Sequence, residues 1–130
     1  MTSQSTKVVR LGGEGSVNNT SASWTAVTHA GIIEGDPKER STLFFAQMRN
    51  APGKVRIGIW ESTAYAEKIV DYDKDEFMVV LEGSCLIIDD DGSEERFETG
   101  DVFFMPKGFT GIWRQTEPMK KYFAMVDYAE

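Results

Sequence analysis

Few side chains in this sequence can carry covalent or metal chemistry, and they are widely spaced. Cys85 is the sole cysteine and sits in an apolar run, so it reads as a small buried side chain rather than a nucleophile. His29 is the sole histidine and can supply at most one metal ligand; a lone imidazole in a loop is expected to be solvated or structural. Asp89-Asp90-Asp91-Gly92 concentrates carboxylates, yet the ligand pattern of a helix-flanked calcium loop is absent. Together with Glu94-Glu95 it reads as a solvated hairpin tip, whose charge keeps an exposed edge from pairing with other chains. Lys120-Lys121 is too short to form a basic patch. The formal charge of −7 argues against a polyanionic partner, so nucleic-acid binding is not expected.

Any site must be positioned by short strands. Glu76 to Leu81 is a largely apolar run that ends in Glu82-Gly83, and Ser84 to Ile88 resumes as a second one. The acidic turn closing on Gly92 is a hairpin signal, so Cys85 to Ile88 should pair with Glu95 to Glu98. Thr99-Gly100-Asp101 then leads into Val102-Phe103-Phe104-Met105. Pro106-Lys107-Gly108 turns the chain again, because Pro fixes φ and has no donor for a ladder. Upstream, Leu43 to Met48 reads as a strand and Pro52-Gly53 as a turn. Val55 to Trp60 alternates, with Val55, Ile57 and Ile59 on one face and Arg56, Gly58 and Trp60 on the other. Tyr65 to Tyr72 is a weaker strand candidate and Lys120 to Asp127 a strong final one. No helix longer than a turn or two is expected.

A chain of 130 residues suits one domain with one core. We divide it into an N-terminal arm over residues 1–40, partly irregular, and a β-barrel domain over 41–130. Met1 to Thr20 is rich in Ser, Thr, Gly and Asn, too polar to offset its ordering entropy, and is expected to be a mobile arm. No apolar run is long enough to span a bilayer, and the first residues lack the basic and apolar regions of a signal peptide. With one cysteine no intramolecular disulfide can form. The expectation is a cytoplasmic protein with no membrane partner.

Many short strands with regular turn signals predict an all-β sandwich or barrel. Glu76 followed after six residues by Gly83 resembles the end of the first cupin motif, and Gly100 followed after five by Pro106-Lys107-Gly108 resembles the start of the second. GIWES at Gly58 to Ser62, DEFMVVLEG at Asp75 to Gly83, GDVFFMPKGFTGIW at Gly100 to Trp113 and KKYF at Lys120 to Phe123 are similar to one small subfamily. It includes the cupin domains of ureidoglycine aminohydrolases and of an ethanolamine-utilisation protein. The resemblance implies a single cupin, a double-stranded β-helix or jelly-roll barrel, carrying an N-terminal extension. The motifs are specific for fold and poorly specific for reaction, because this fold hosts many chemistries and non-enzymes.

The resemblance also locates the site, and there the residues depart from the family. A metal-binding cupin supplies two His before the Glu and a third after the Pro-x-Gly turn, a set suited to a divalent transition metal. The first two positions fall on Val70 and Tyr72, or on Ile69 and Asp71, and the third falls on Gly111. The closing Asn is replaced by Gln115. Glu76, even with Asp71 and Gln115, makes at best a weak oxygen site, so no tightly held metal and no cofactor are expected.

In the cupin register Glu76, Met78 and Val80 face the interior, with Gly111, Trp113 and Gln115 opposite. Gly111 then leaves a gap into which Trp113 can lean, and Trp60 and Arg56 reach the cavity from the neighbouring sheet. An inward carboxylate without a metal must be solvated, protonated or paired with a cation. Lys121 is the first choice of partner for Glu76 and Arg56 the second. Tyr65, Tyr72 or Tyr122 beside that carboxylate suggests acid or base chemistry if desolvation raises its pKa. The candidate pocket is therefore Glu76, Trp113, Trp60, Tyr72, Lys121, Arg56, Gln115 and Met78.

Two functions follow. One is a metal-free or weakly metal-binding cupin that binds a small polar metabolite in its cavity, as a carrier, sensor or accessory subunit. The other is an enzyme related to ureidoglycine aminohydrolase, acting on a C–N bond of a small metabolite. If Glu76, Met78 and Val80 face inward, Phe77, Val79 and Leu81 face outward and need cover. A homodimer is expected on that ground.

Overall fold

The computed structural model describes residues 7–12, 22–48 and 53–128. Apart from 7–12 and Gly53, the predicted mobile arm and the Pro52-Gly53 turn lie outside the described residues. Within them the chain forms β1 (Thr25–Ala26), β2 (Ile32–Glu34), β3 (Lys38–Met48), β4 (Gly53–Ser62), β5 (Tyr65–Ile69) and β6 (Lys74–Glu82). It continues through β7 (Ser84–Asp89), β8 (Glu94–Glu98), β9 (Val102–Met105), β10 (Gly111–Gln115) and β11 (Met119–Tyr128). No helix of the described residues is long and apolar enough to cross a membrane.

The strands form two antiparallel sheets, ordered β1-β3-β4-β11-β6-β9 and β2-β5-β10-β7-β8. This is the expected all-β jelly roll. Its core is the period-two face of each sheet: Met78, Val80, Cys85, Met105, Trp113 and Met119 pack between the sheets, and Met78 is fully out of solvent. Burying such side chains is worth about 1.5–3 kcal/mol each. The hairpin pairing holds as expected, with Cys85 opposite Phe97 and Ile88 opposite Glu94. At the sheet-to-sheet crossing, Gly83 has φ +80°, and a Cβ there would stand 2.2 Å from the Pro118 carbonyl. Only glycine tolerates both constraints.

The structure departs from the sequence reading at several places. The strand expected from Leu43 begins at Lys38, and residues 25–26 and 32–34, for which no regular structure is evident in the sequence, pair with β3 and β5. Strands that short carry too few residues to show a period. In β6 the register against β11 shifts, so that Lys121 lies opposite Val80 while Lys120 lies opposite Glu82. Neighbouring strand residues point to opposite faces. The bulge therefore turns Glu82 outward to Lys120, 3.6 Å away, where unbroken alternation would have turned it inward. Finally, Tyr122 lies on the outer face of its sheet, near Phe44 and Gly12, and is not beside Glu76. The alternation that turns Lys121 and Phe123 inward turns it away.

Candidate functional site

Between the sheets opens a cavity of about 620 Å³. Its floor comes from adjacent central strands, β6 and β11, which project Glu76 and Lys121 inward, both buried. Lys121 Nζ lies 2.8 Å from Glu76 Oε2 and 2.9 Å from Met78 Sδ. The same ammonium stands 4.7 Å from the ring centroids of both Trp60 and Trp113. The two indoles meet edge to face at 6.0 Å, so the cation sits in an aromatic corner. The other carboxylate oxygen, Oε1, accepts a hydrogen bond from the Tyr72 hydroxyl. Thus Glu76 is satisfied by one cation and one neutral donor, as a buried carboxylate must be.

The walls hold these groups in place. Trp113 Nε1 donates to Gln115 Oε1 at 2.8 Å, and the Ser62 hydroxyl donates to the same oxygen at 3.0 Å. Trp60 Nε1 donates to Glu39 Oε1 at 2.8 Å. The Tyr65 hydroxyl donates to Glu67 Oε1 at 2.9 Å, and His29 Nε2 lies 3.3 Å from Glu67 Oε2. Arg56 lines the cavity but is held by Asp127, with Nε to Oδ2 at 2.6 Å. Burial, followed by the field and hydrogen bond of Glu76, pushes the Tyr72 phenol far above its ordinary range. Burial and then Glu67 and Glu39 do the same to Tyr65. Both phenols are hydrogen-bond donors at neutral pH.

Six of the eight candidate residues line the cavity together: Glu76, Trp113, Trp60, Tyr72, Lys121 and Arg56. Met78 lies against the ammonium beneath them, and Gln115 stands behind Trp113 as its anchor. Lys121, not Arg56, is the partner of Glu76. No gap exists at Gly111: a Cβ there would meet the Ile88 carbonyl at 2.3 Å and the Phe109 ring at 2.5 Å. Phe109, not Trp113, closes the place expected for an imidazole. Ahead of Glu76, Ile69 and Tyr72 line the cavity, one from each of the two spacings considered. Asp71 has φ +49°, and this left-handed residue breaks the alternation between them.

His29, Glu39 and Glu67 also line the cavity and were not assigned to it by sequence. One signal was present: Tyr65, Glu67 and Ile69 follow a period of two on β5, and all three face the cavity.

The metal that a metal-binding cupin holds does not fit this donor set. Among the described residues no three His, Cys, Asp or Glu side chains converge to hold an ion. The Tyr72 hydroxyl and the Lys121 amine nitrogen donate to the two oxygens of Glu76 and occupy them.

Residues 49–123 match the family model of the EutQ-like cupin domain. No curated protein matches the chain. Among solved structures, the chain is similar to a DUF861-family protein of unknown function from Pseudomonas syringae pv. tomato. The two are 27% identical with a TM-score of 0.70, over 80% of this chain and 44% of that one, so this chain spans less than half of that protein's length. It is similar to EutQ of Clostridium difficile at 19% identity and a TM-score of 0.56, over 72% of this chain and 71% of that one. It is also similar to a putative ethanolamine utilization protein Q of Salmonella typhimurium at 18% and 0.57, over 83% and 96% of the respective chains. The last two likenesses concern the fold alone.

Proposed function

This chain belongs to the EutQ-like cupin family, and on that premise we propose that it binds a small polar organic molecule in the cavity between its sheets. The Glu76–Lys121 pair stands in for a metal centre as the group that orients the ligand. The observation that carries this reading is the pair itself, buried at the floor of a cavity whose walls are indole and phenol rings. Aromatic walls with a few fixed polar groups are the usual make-up of a small-molecule site. Hydrogen bonds hold Trp113, Trp60 and Tyr65 in place, so little side-chain entropy is lost when a ligand enters. The cytoplasm is the compartment this reading takes, since the single buried thiol needs no oxidising environment.

Thermal unfolding across a panel of small polar metabolites tests the proposal. A ligand at a hundred times its Kd stabilises by about 2.7 kcal/mol. The expected result is a rise in Tm for the wild type that is lost in Glu76→Gln. If Glu76→Gln leaves both stability and binding unchanged, the reading fails.

One contact favours a second reading, an enzyme acting on a C–N bond. The Tyr72 hydroxyl donates to Glu76, so a phenol and a carboxylate, two groups that general acid–base chemistry uses, meet at the cavity floor. Turnover of an amide or ureido compound, lost in Glu76→Gln while binding persists, would establish catalysis in place of simple binding.

A further inference from the structure

The charges around the cavity do not balance. Arg40 Nε lies 2.7 Å from Glu61 Oε2, Arg56 lies 2.6 Å from Asp127, and Lys121 is matched by Glu76. Glu61 and Asp127 stand behind the wall and do not line the cavity, so each lining cation is already neutralised. Two lining carboxylates are not. Among the described residues the Glu39 carboxylate accepts only the neutral Trp60 N–H, and that of Glu67 accepts the neutral Tyr65 O–H. Among the described residues the only ion-pair partner of either is His29, on Glu67. His29 Nδ1 accepts the Gly31 N–H at 3.1 Å, which leaves Nε2 as the nitrogen that faces Glu67, and neither contact reaches Glu39. A surplus of negative charge therefore remains.

The two carboxylates hang from adjacent rings, since Trp60 and Tyr65 pack edge to face with centroids 6.5 Å apart. Acids bonded to the rims of electron-rich rings are the setting in which an organic cation replaces its hydration shell most fully. We propose that the cavity selects small organic cations, seating a protonated amine on Glu39 and Glu67 with its carbon chain against Trp60 and Tyr65. This inference rests on the reading that the cavity binds a small molecule, and it names the class.

Three probes of matched length, n-butylammonium, 1-butanol and butyrate, separate the inference from its premise. The reporter is the Trp60 indole N–H resonance in proton–nitrogen spectra, because that hydrogen is bonded to Glu39. Butylammonium is expected to bind about tenfold more tightly than either of the others. The preference should vanish in Glu39→Gln/Glu67→Gln, which keeps an acceptor for both ring donors. If the double variant does not fold, each single variant should lose part of the preference. Equal or tighter binding of butanol or butyrate overturns the inference and leaves small-molecule binding standing. If none of the three moves the resonance at tens of millimolar, the premise fails with it.

Discussion

Lys121 Nζ meets Glu76 Oε2 at 2.8 Å, with only 8% and 4% of the two side chains exposed. Removing one partner of such a pair strands the other charge away from water and costs about 3–5 kcal/mol, whereas replacing both at once is far less damaging. Glu76→Gln and Lys121→Met should each lose stability of that order in urea unfolding. The double variant should be much less destabilised than the sum of the two. A strictly additive cycle would mean that the two groups are not coupled.

Stability should also fall in acid through a second pair at the cavity wall. The hydrogen bond from Arg56 holds Asp127 below its ordinary value of 3.8. A carboxylate with a lowered folded pKa contributes stability that is fully present above its unfolded pKa. That contribution is lost as the pH falls through the folded pKa. Unfolding free energy should thus decline below about pH 4. The decline should be shallower in Asp127→Asn, whose side chain does not titrate; identical acid limbs in urea unfolding would contradict the assignment.

The outer face of the larger sheet sets a third expectation. Phe77 pairs with Phe104 and Val79 with Val102 across β6 and β9, and Phe77, Phe104 and Val102 are 46–55% exposed. Strand β9 is an edge strand, so these side chains form one apolar patch at the rim of the sheet. Exposed apolar patches mark interaction surfaces, and a two-fold axis lets the same patch on two copies cover itself. We propose that a second copy of the chain covers it. Light scattering at micromolar concentration should give a dimer for the wild type and a monomer for Phe104→Lys; a monomeric wild type would sink the proposal.

The fold was largely legible in the sequence because its central strands alternate. The resemblance to the cupin motifs set the register that puts Glu76, Trp113 and Gln115 on the inner face, and the burial of Glu76 to Val80 and of Gly111 to Gln115 alternates in that phase. Lys121 was the first choice of partner because an inward carboxylate without a metal calls for a cation and the strong final strand supplies one. What was not legible depends on register between distant segments or on single backbone angles. The bulge that turns Glu82 outward is a property of the β6–β11 pairing, and the left-handed Asp71 has no side-chain signature strong enough to announce it. Glu39 lies at the start of β3, ahead of the Leu43 to Met48 run that reads as a strand, and His29 lies in the loop between β1 and β2, which are too short to show a pattern. The ring of Phe109 fills the space at Gly111 from a loop, which no periodicity describes.

Metal content tests the central claim most directly, because an ammonium and a bound divalent cation cannot share Glu76. Protein purified without chelator, with metals counted against chain concentration by plasma mass spectrometry, should carry well below one transition metal per chain. Its Lys121→Met variant should carry no more. One equivalent of metal per chain in the wild type, lost in Glu76→Gln, would contradict the claim that an ion pair occupies the floor of this cavity.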